Sequence, residues 1–119
     1  MTAARSKGTR WESAIVDFLR TFVPHVERRA RNGAKDRGDI AGIPGLVIEA
    51  KNTRAVDLAG WVDEAEAERI NDGAALGVVW HHRRGRGSPG HGYVTMTGFQ
   101  FIGLLTDAGY IQHRQETPQ

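Results

Sequence analysis

Three charged residues stand in a stretch of sequence that otherwise has the character of two short apolar strands. The stretch is GDIAGIPGLVIEAKN, residues 38 to 52, and its charges are Asp39, Glu49 and Lys51. Two carboxylates that converge repel each other unless a cation lies between them. Oxygen ligands suit Mg²⁺ or Mn²⁺, and a nearby lysine ammonium can orient a water molecule or neutralise developing charge. These residue types predict a metal site suited to phosphodiester hydrolysis.

The elements that would position these charges are two strands and a turn. The β-branched segments on either side of residues 42 to 45 predict an antiparallel hairpin with a Gly-Ile-Pro-Gly turn. Alternation along the second strand puts Glu49 and Lys51 on one face. The same hairpin places Asp39 near Glu49 or Lys51, on a face that depends on the register of the strands.

Apolar periodicity and turn signals predict the other elements. We expect helices over residues 9 to 23, 57 to 73 and 97 to 109, with Asp57 and Thr97 as N-caps and Gln100 completing the last cap. Further strands are predicted over residues 25 to 31, 75 to 82 and 92 to 96. The order α, β, β, β, α, β, β, α predicts an α/β fold with a mixed sheet and helices on both faces. In the second helix the predicted inward residues are Leu58, Trp61, Val62, Ala65 and Ile70.

Length and composition predict one domain over residues 1 to 119, with short tails at about 1 to 8 and 112 to 119. The chain has no cysteine, which excludes disulfides and thiolate metal sites and permits a reducing cytosol. No apolar run is long enough to suggest a membrane span, so we expect a soluble cytoplasmic protein without a membrane partner.

Formal net charge is only +2, but the basic residues cluster in two segments around the hairpin, of which the first is residues 28 to 37. The second segment is a basic loop at residues 83 to 92. Such clustering favours a polyanionic ligand, and two solvated loops are the alternative. The candidate nucleic-acid contacts are Arg28, Arg29, Arg31, Lys35, Arg37, Arg83, Arg84 and Arg86.

The hairpin resembles the PD-(D/E)xK nuclease superfamily, in which an acid on one strand is followed by E-x-K on the next. Here these residues are Asp39 and Glu49-Ala50-Lys51, with Gly38 where the family has proline. The similarity extends to the order of elements over residues 9 to 82. Compact length, basic flanks and Glu12 in the first helix look most like archaeal and phage-type Holliday junction resolvases.

This resemblance implies a restriction-endonuclease-like αβββαβ core and a Mg²⁺-dependent DNA endonuclease that resolves four-way junctions as a homodimer. It implies that Asp39, Glu49 and the Ala50 carbonyl hold Mg²⁺, for which Mn²⁺ would substitute. Glu12 would complete the metal site, and Lys51 would help to activate the attacking water. The basic segments would bind the DNA backbone.

Several alternatives are open at this point. Thr9 and Glu12 also fit a capping box, in which Glu12 would only cap the first helix. The hairpin charges could be an ordinary strand-end pair. A different structure-selective or nicking nuclease of the superfamily would share the same catalytic residues, whereas a restriction-type enzyme would need a further segment to read bases. A non-catalytic nucleic-acid-binding module would need the basic residues and not the acids.

Two other groups of polar residues receive a lesser role. Glu64, Glu66 and Glu68 are expected to form a solvated face of the second helix, although one of them could lean over the site. His81 and His82 are neighbours in a predicted strand and therefore point to opposite faces, which argues against a zinc site.

Overall fold

The computed structural model describes residues 3 to 29 and 38 to 112, and the side chains from residue 6 onward. Of the predicted nucleic-acid contacts, Arg31, Lys35 and Arg37 lie outside the described residues. None of the helices within the described ranges combines the length and hydropathy that a membrane span needs. The helices are α1 (Ala3–Arg20), α2 (Leu58–Asp72) and α3 (Gly98–Asp107), and the strands are β1 (Glu27–Arg28), β2 (Ile40–Ala41), β3 (Leu46–Lys51), β4 (Leu76–His81) and β5 (Tyr93–Thr95).

The strands form one mixed sheet in the order β1-β2-β3-β4-β5. β2 and β3 pair antiparallel, with Ile40 opposite Ile48, so the predicted hairpin is confirmed. β3 and β4 are parallel, with Glu49 opposite Val79, and α2 is the crossover that a parallel pair requires. The predicted order of elements and the mixed sheet are confirmed.

The two faces of the sheet carry separate apolar clusters. The cluster under α1 includes Trp11, Ile15 and Ile48, whereas the cluster under α2 is Trp61, Ala65 and Val79. Alternation along β3 therefore directs Ile48 toward α1 and its neighbour Glu49 toward α2. Glu49 thus places a carboxylate on the α2 face, at a position where the pattern of the strand predicts a buried side chain.

Helix α1 differs from its prediction at both ends. It begins at Ala3, so residues that were expected to belong to a tail are helical, and Thr9 lies inside the helix. An N-cap residue must flank a helix, so the capping-box interpretation of Thr9 and Glu12 is wrong. The helix ends at Arg20, before the predicted end at residue 23, and Phe22 beyond it is exposed.

Helix α2 has the predicted caps but a different buried stripe. The Asp57 side chain accepts a hydrogen bond from the Gly60 N–H, and Gly73 ends the helix in the left-handed region at φ 67°. Ile70, which was predicted to face inward, is 67% exposed, whereas Glu68 is 2% exposed. A stripe at i, i+4 and i+7 from Trp61 passes through Ala65 and Glu68 and leaves Ile70 outside.

Helix α3 is apolar but lies on the surface, and none of its residues is buried. Thr97 caps it, as predicted, by accepting a hydrogen bond from the Gln100 N–H. The Gln100 side chain does not complete the expected cap: its oxygen accepts from the Gly77 N–H and its amide donates to Glu66. The outer residues are left uncovered, and Phe99 is 95% exposed.

Replacing Ile15 by alanine is expected to lower the free energy of unfolding by about 2 to 5 kcal/mol, because the cluster under α1 would keep a cavity. Ile70→Ala removes the same atoms from an exposed helical position, and its effect should stay within about 0.5 kcal/mol. Urea unfolding followed by circular dichroism measures both. Similar losses for the two variants would contradict the assigned core.

Candidate functional site

Asp39 is fixed at the start of β2 by backbone hydrogen bonds. Its N–H donates to the Ile48 carbonyl at 3.0 Å, and its carbonyl accepts from the Arg29 N–H at 2.7 Å. Its side-chain Oδ2 accepts from the Ala50 N–H at 2.8 Å. The carboxylate therefore lies against the backbone of β3, beside Glu49, as the hairpin predicts.

Gly38 explains why this chain has no proline before the aspartate. Its φ is +91°, a conformation that favours glycine, whereas proline is restricted to about −65°. A Cβ at this position would also lie 2.8 Å from Cγ1 of Val47. Glycine here lets the chain turn tightly onto β3 and deliver Asp39 to it.

The backbone of Ala50 faces the same side as Asp39. In a strand, the N–H and C=O of one residue point toward the same neighbouring strand. Because the Ala50 N–H reaches the Asp39 carboxylate, the Ala50 carbonyl is also directed to that side of β3. Asp39 and the backbone of Ala50 thus meet on the β2 side of β3.

Glu49 is the most constrained member of the site. The side chain is 1% exposed, and its Oε2 is buried without a hydrogen-bond donor among the described residues. Burial, contact with the Glu68 carboxyl and the charges of Asp39 and Glu64 hold the pKa of Glu49 well above its usual range. Two carboxyl groups in contact need a proton or a cation between them, so this position favours a positively charged ligand.

Helix α2 supplies two further carboxylates to this position. One oxygen from each of Glu49, Glu64 and Glu68 lies within 4.8 Å of the others. Glu64 and Glu68 share a face because they are four residues apart, whereas Glu66 points away and pairs with Arg69 at 3.1 Å. The expectation of a solvated acidic face is wrong for Glu68. This group of described residues can hold a metal ion, whereas the sequence interpretation expected at most one of the helical glutamates to lean over the site.

Lys51 neutralises part of this charge. Its Nζ lies 3.0 Å from Oε2 of Glu64 and 3.4 Å from Oε1 of Glu49. Burial lowers the pKa of Lys51, but the hydrogen bond to Glu64 and the charge of Glu49 outweigh it, and the net shift is upward. Lys51 is therefore an ammonium at neutral pH. It can orient a ligand and balance charge.

Glu12 lies apart from this group in the structure. It belongs to α1, and its Oε2 accepts a hydrogen bond from Nε of Arg28 at 3.2 Å. The described acidic group that could hold a metal consists of Glu49, Glu64 and Glu68, and it includes neither Glu12 nor Asp39. The structure thus joins Asp39, Glu49, Ala50 and Lys51 but gives Glu12 a different partner.

The two histidines at the end of β4, His81 and His82, point to opposite faces, as predicted. The His81 ring lies between those of Trp61 and Tyr93, at 5.5 and 5.4 Å between centroids, and burial lowers its pKa. The His82 ring meets the edge of Trp11 at 5.1 Å. No described metal group includes either histidine.

The arginines predicted to contact nucleic acid, where the structure describes them, fall into two sets: those beside an acid and those that form no ion pair. Arg28 pairs with Glu12, and Arg29 lies 3.7 Å from Asp72. In the predicted basic loop, the Arg83 guanidinium lies over the Tyr93 ring at 5.6 Å, while Arg84 and Arg86 are exposed. The second basic segment therefore presents more available charge than the described part of the first.

Mg²⁺ is expected to raise the thermal unfolding midpoint of the wild-type chain, because a ligand of the folded state at 100 times its Kd stabilises by about 2.7 kcal/mol. Glu49→Gln should lose most of this gain, since it removes the central carboxylate. Glu27→Gln changes an exposed residue of β1 and should keep it. Differential scanning fluorimetry in EDTA and in Mg²⁺ checks both, and equal gains would contradict a cation site at Glu49.

Comparisons with protein-family models, with curated proteins and with solved structures gave no match.

Proposed function

We propose that this protein is a Mg²⁺-dependent endodeoxyribonuclease with a restriction-endonuclease-like core. The observation that carries the proposal is Glu49, a buried carboxylate with further carboxylates around it and one lysine beside it. An acid on one strand and E-x-K on the next strand of a hairpin is the pattern of the resembled superfamily. Here Lys51 lies 3.4 Å from Glu49 and the Asp39 carboxylate accepts from the Ala50 N–H, which supports the resemblance beyond the text of the motif.

Charge balance favours a divalent cation at this site. Glu49, Glu64 and Glu68 bring three carboxyl groups together, the charge of Asp39 acts on Glu49, and Lys51 pairs with Glu49 and Glu64. A buried carboxylate without an opposite charge costs free energy, which protonation or a cation relieves. Oxygen ligands without sulfur or imidazole fit Mg²⁺, and Mn²⁺ would substitute.

The residues have separate roles in the proposed reaction. Asp39, Glu49 and the Ala50 carbonyl would hold Mg²⁺ on the side of β2, and Glu68 would extend the ligand set toward α2. Bound Mg²⁺ supplies a Lewis acid and lowers the pKa of a coordinated water. Lys51, held by Glu64, would orient the scissile phosphate and neutralise the charge that develops on it. Glu12 remains a candidate ligand only if it leaves Arg28.

A four-way junction is the substrate that we propose. The basis for this choice is the resemblance to junction resolvases together with the clustered arginines, since phosphate contacts recognise the shape of DNA and carry no base information. Another structure-selective or nicking nuclease would share the site. A non-catalytic nucleic-acid-binding module would not need a buried carboxylate, because a carboxylate has the same sign of charge as DNA and repels it.

Glu49→Gln is expected to lower Mg²⁺-dependent cleavage of a synthetic four-way junction by at least about 100-fold while DNA binding persists, because the substitution removes a ligand. Glu27→Gln serves as the control because it makes the same chemical change at an exposed position. Gel assays with a junction, a flap and a linear duplex measure rate and substrate preference together.

The outcomes of these assays separate the candidates. Equal cutting of the junction and the linear duplex would contradict the resolvase assignment but remain consistent with a nuclease. If Glu49→Gln keeps the full function of the wild-type chain, the nuclease assignment is contradicted and the binding module is favoured.

A homodimer belongs to the same proposal, since symmetric cutting of two strands needs two sites related by a twofold axis. Helix α3 offers the surface for a second copy. It exposes Phe99, Phe101, Ile102 and Leu104, and its single charged residue is Asp107. A nearly uncharged apolar surface can meet its own copy without like-charge repulsion.

Phe99→Asp is expected to convert the dimer into a monomer, because it would place a charge in the centre of the proposed apolar contact. Phe22→Asp introduces the same charge at another exposed phenylalanine and should leave the dimer intact. Size-exclusion chromatography with light scattering checks both variants. A wild-type chain that is monomeric at micromolar concentration would contradict the dimer.

A further inference from the structure

The described surface has a cationic groove at the ends of β3 and β4. Its volume is about 700 Å³. The cations that line it come from three separate parts of the chain, and no aspartate or glutamate lines it. These cations are Lys7, Arg54, Arg83 and Arg84.

We infer that this groove binds the phosphodiester backbone of the nucleic acid on which the carboxylate site acts. The inference rests on the proposed function for the identity of the reaction, but the charge of the groove is independent of it. Guanidinium groups suit phosphate because they donate forked hydrogen bonds and keep their charge at any physiological pH.

The groove has a fixed position relative to the reacting groups. Arg54 follows Lys51 by three residues, so their Cα atoms lie at most about 11 Å apart. On the opposite side, the His82 N–H donates to the Lys51 carbonyl at 3.0 Å, which ties the end of β4 to the end of β3. The groove therefore begins at Asn52, the residue that follows Lys51 at the end of β3.

The charges of the groove are also available. Within the described residues, no ion pair involves Arg54, Arg83 or Arg84, and Arg83 is oriented by the Tyr93 ring. In contrast, Arg28 and Arg29 of the first basic segment lie against Glu12 and Asp72. A phosphate would have to displace these acids before it could use the first segment. The structure thus favours the groove as the primary contact.

The test compares two variants that each lose two positive charges. Arg54→Gln/Arg84→Gln changes exposed groove residues, whereas Arg28→Gln/Arg29→Gln changes the paired arginines. Both are made in the full chain with Glu49→Gln, so that binding is measured without cleavage. Fluorescence anisotropy with a labelled four-way junction gives the Kd over a series of KCl concentrations.

The groove variant is expected to bind more weakly, with the slope of log K against log salt reduced by about 2, since each lost phosphate contact reduces it by about 1. The control should change the slope by less than half as much. Equal slopes for the two variants, or an unchanged Kd for the groove variant, would overturn the inference. Thermal melting verifies that both variants are folded.

The result also separates this inference from the proposed function. If the wild-type chain cuts no DNA but the groove variant loses salt-dependent binding, the groove stands and the nuclease assignment fails. If the wild-type chain cuts DNA and both variants bind alike, the nuclease stands and the groove inference is wrong.

Discussion

The structure depends on one electrostatic constraint, which is the burial of Glu49 beside other acidic groups. Removing a carboxylate from water is unfavourable, and the charges of Asp39 and Glu64 and contact with Glu68 make it more so. One lysine offsets only part of this. A fold that keeps such an arrangement sacrifices stability at this point, which is typical of a site retained for its chemistry.

The parallel pairing of β3 and β4 is what makes the arrangement possible. A parallel pair requires a crossover helix, and α2 crosses over the face to which Glu49 points. The antiparallel hairpin on the other side brings in Asp39 through the turn at Gly38. The site therefore draws carboxylates from two directions onto one strand, while the α1 face of that strand remains an apolar core.

The sequence predicted the parts of the site that depend on strand alternation and hairpin pairing. Asp39, Glu49 and Lys51 were found because a period of two is short and leaves few registers. Glu68 was missed although it lies seven residues after Trp61 on the buried stripe, because Ile70 nearby is the more apolar residue. A helix has no such strict alternation, and its orientation is decided by tertiary packing.

The partners of side chains were the other part that the sequence could not predict. The sequence shows that Arg28 and Arg29 are basic, but it does not show that each lies near an acid from a distant segment. Gln100 had the right spacing for a cap but bonds to Gly77 instead. Both outcomes depend on contacts between elements, which local patterns do not encode.

The loose attachment of α3 has a consequence for how this protein can vary. Because no residue of α3 is buried, substitutions on its outer surface disturb neither of the two apolar clusters. The carboxylates lie under α2 and depend on other contacts. Selection can therefore alter the outer surface of α3 without altering the carboxylate group, so the two are free to evolve at different rates.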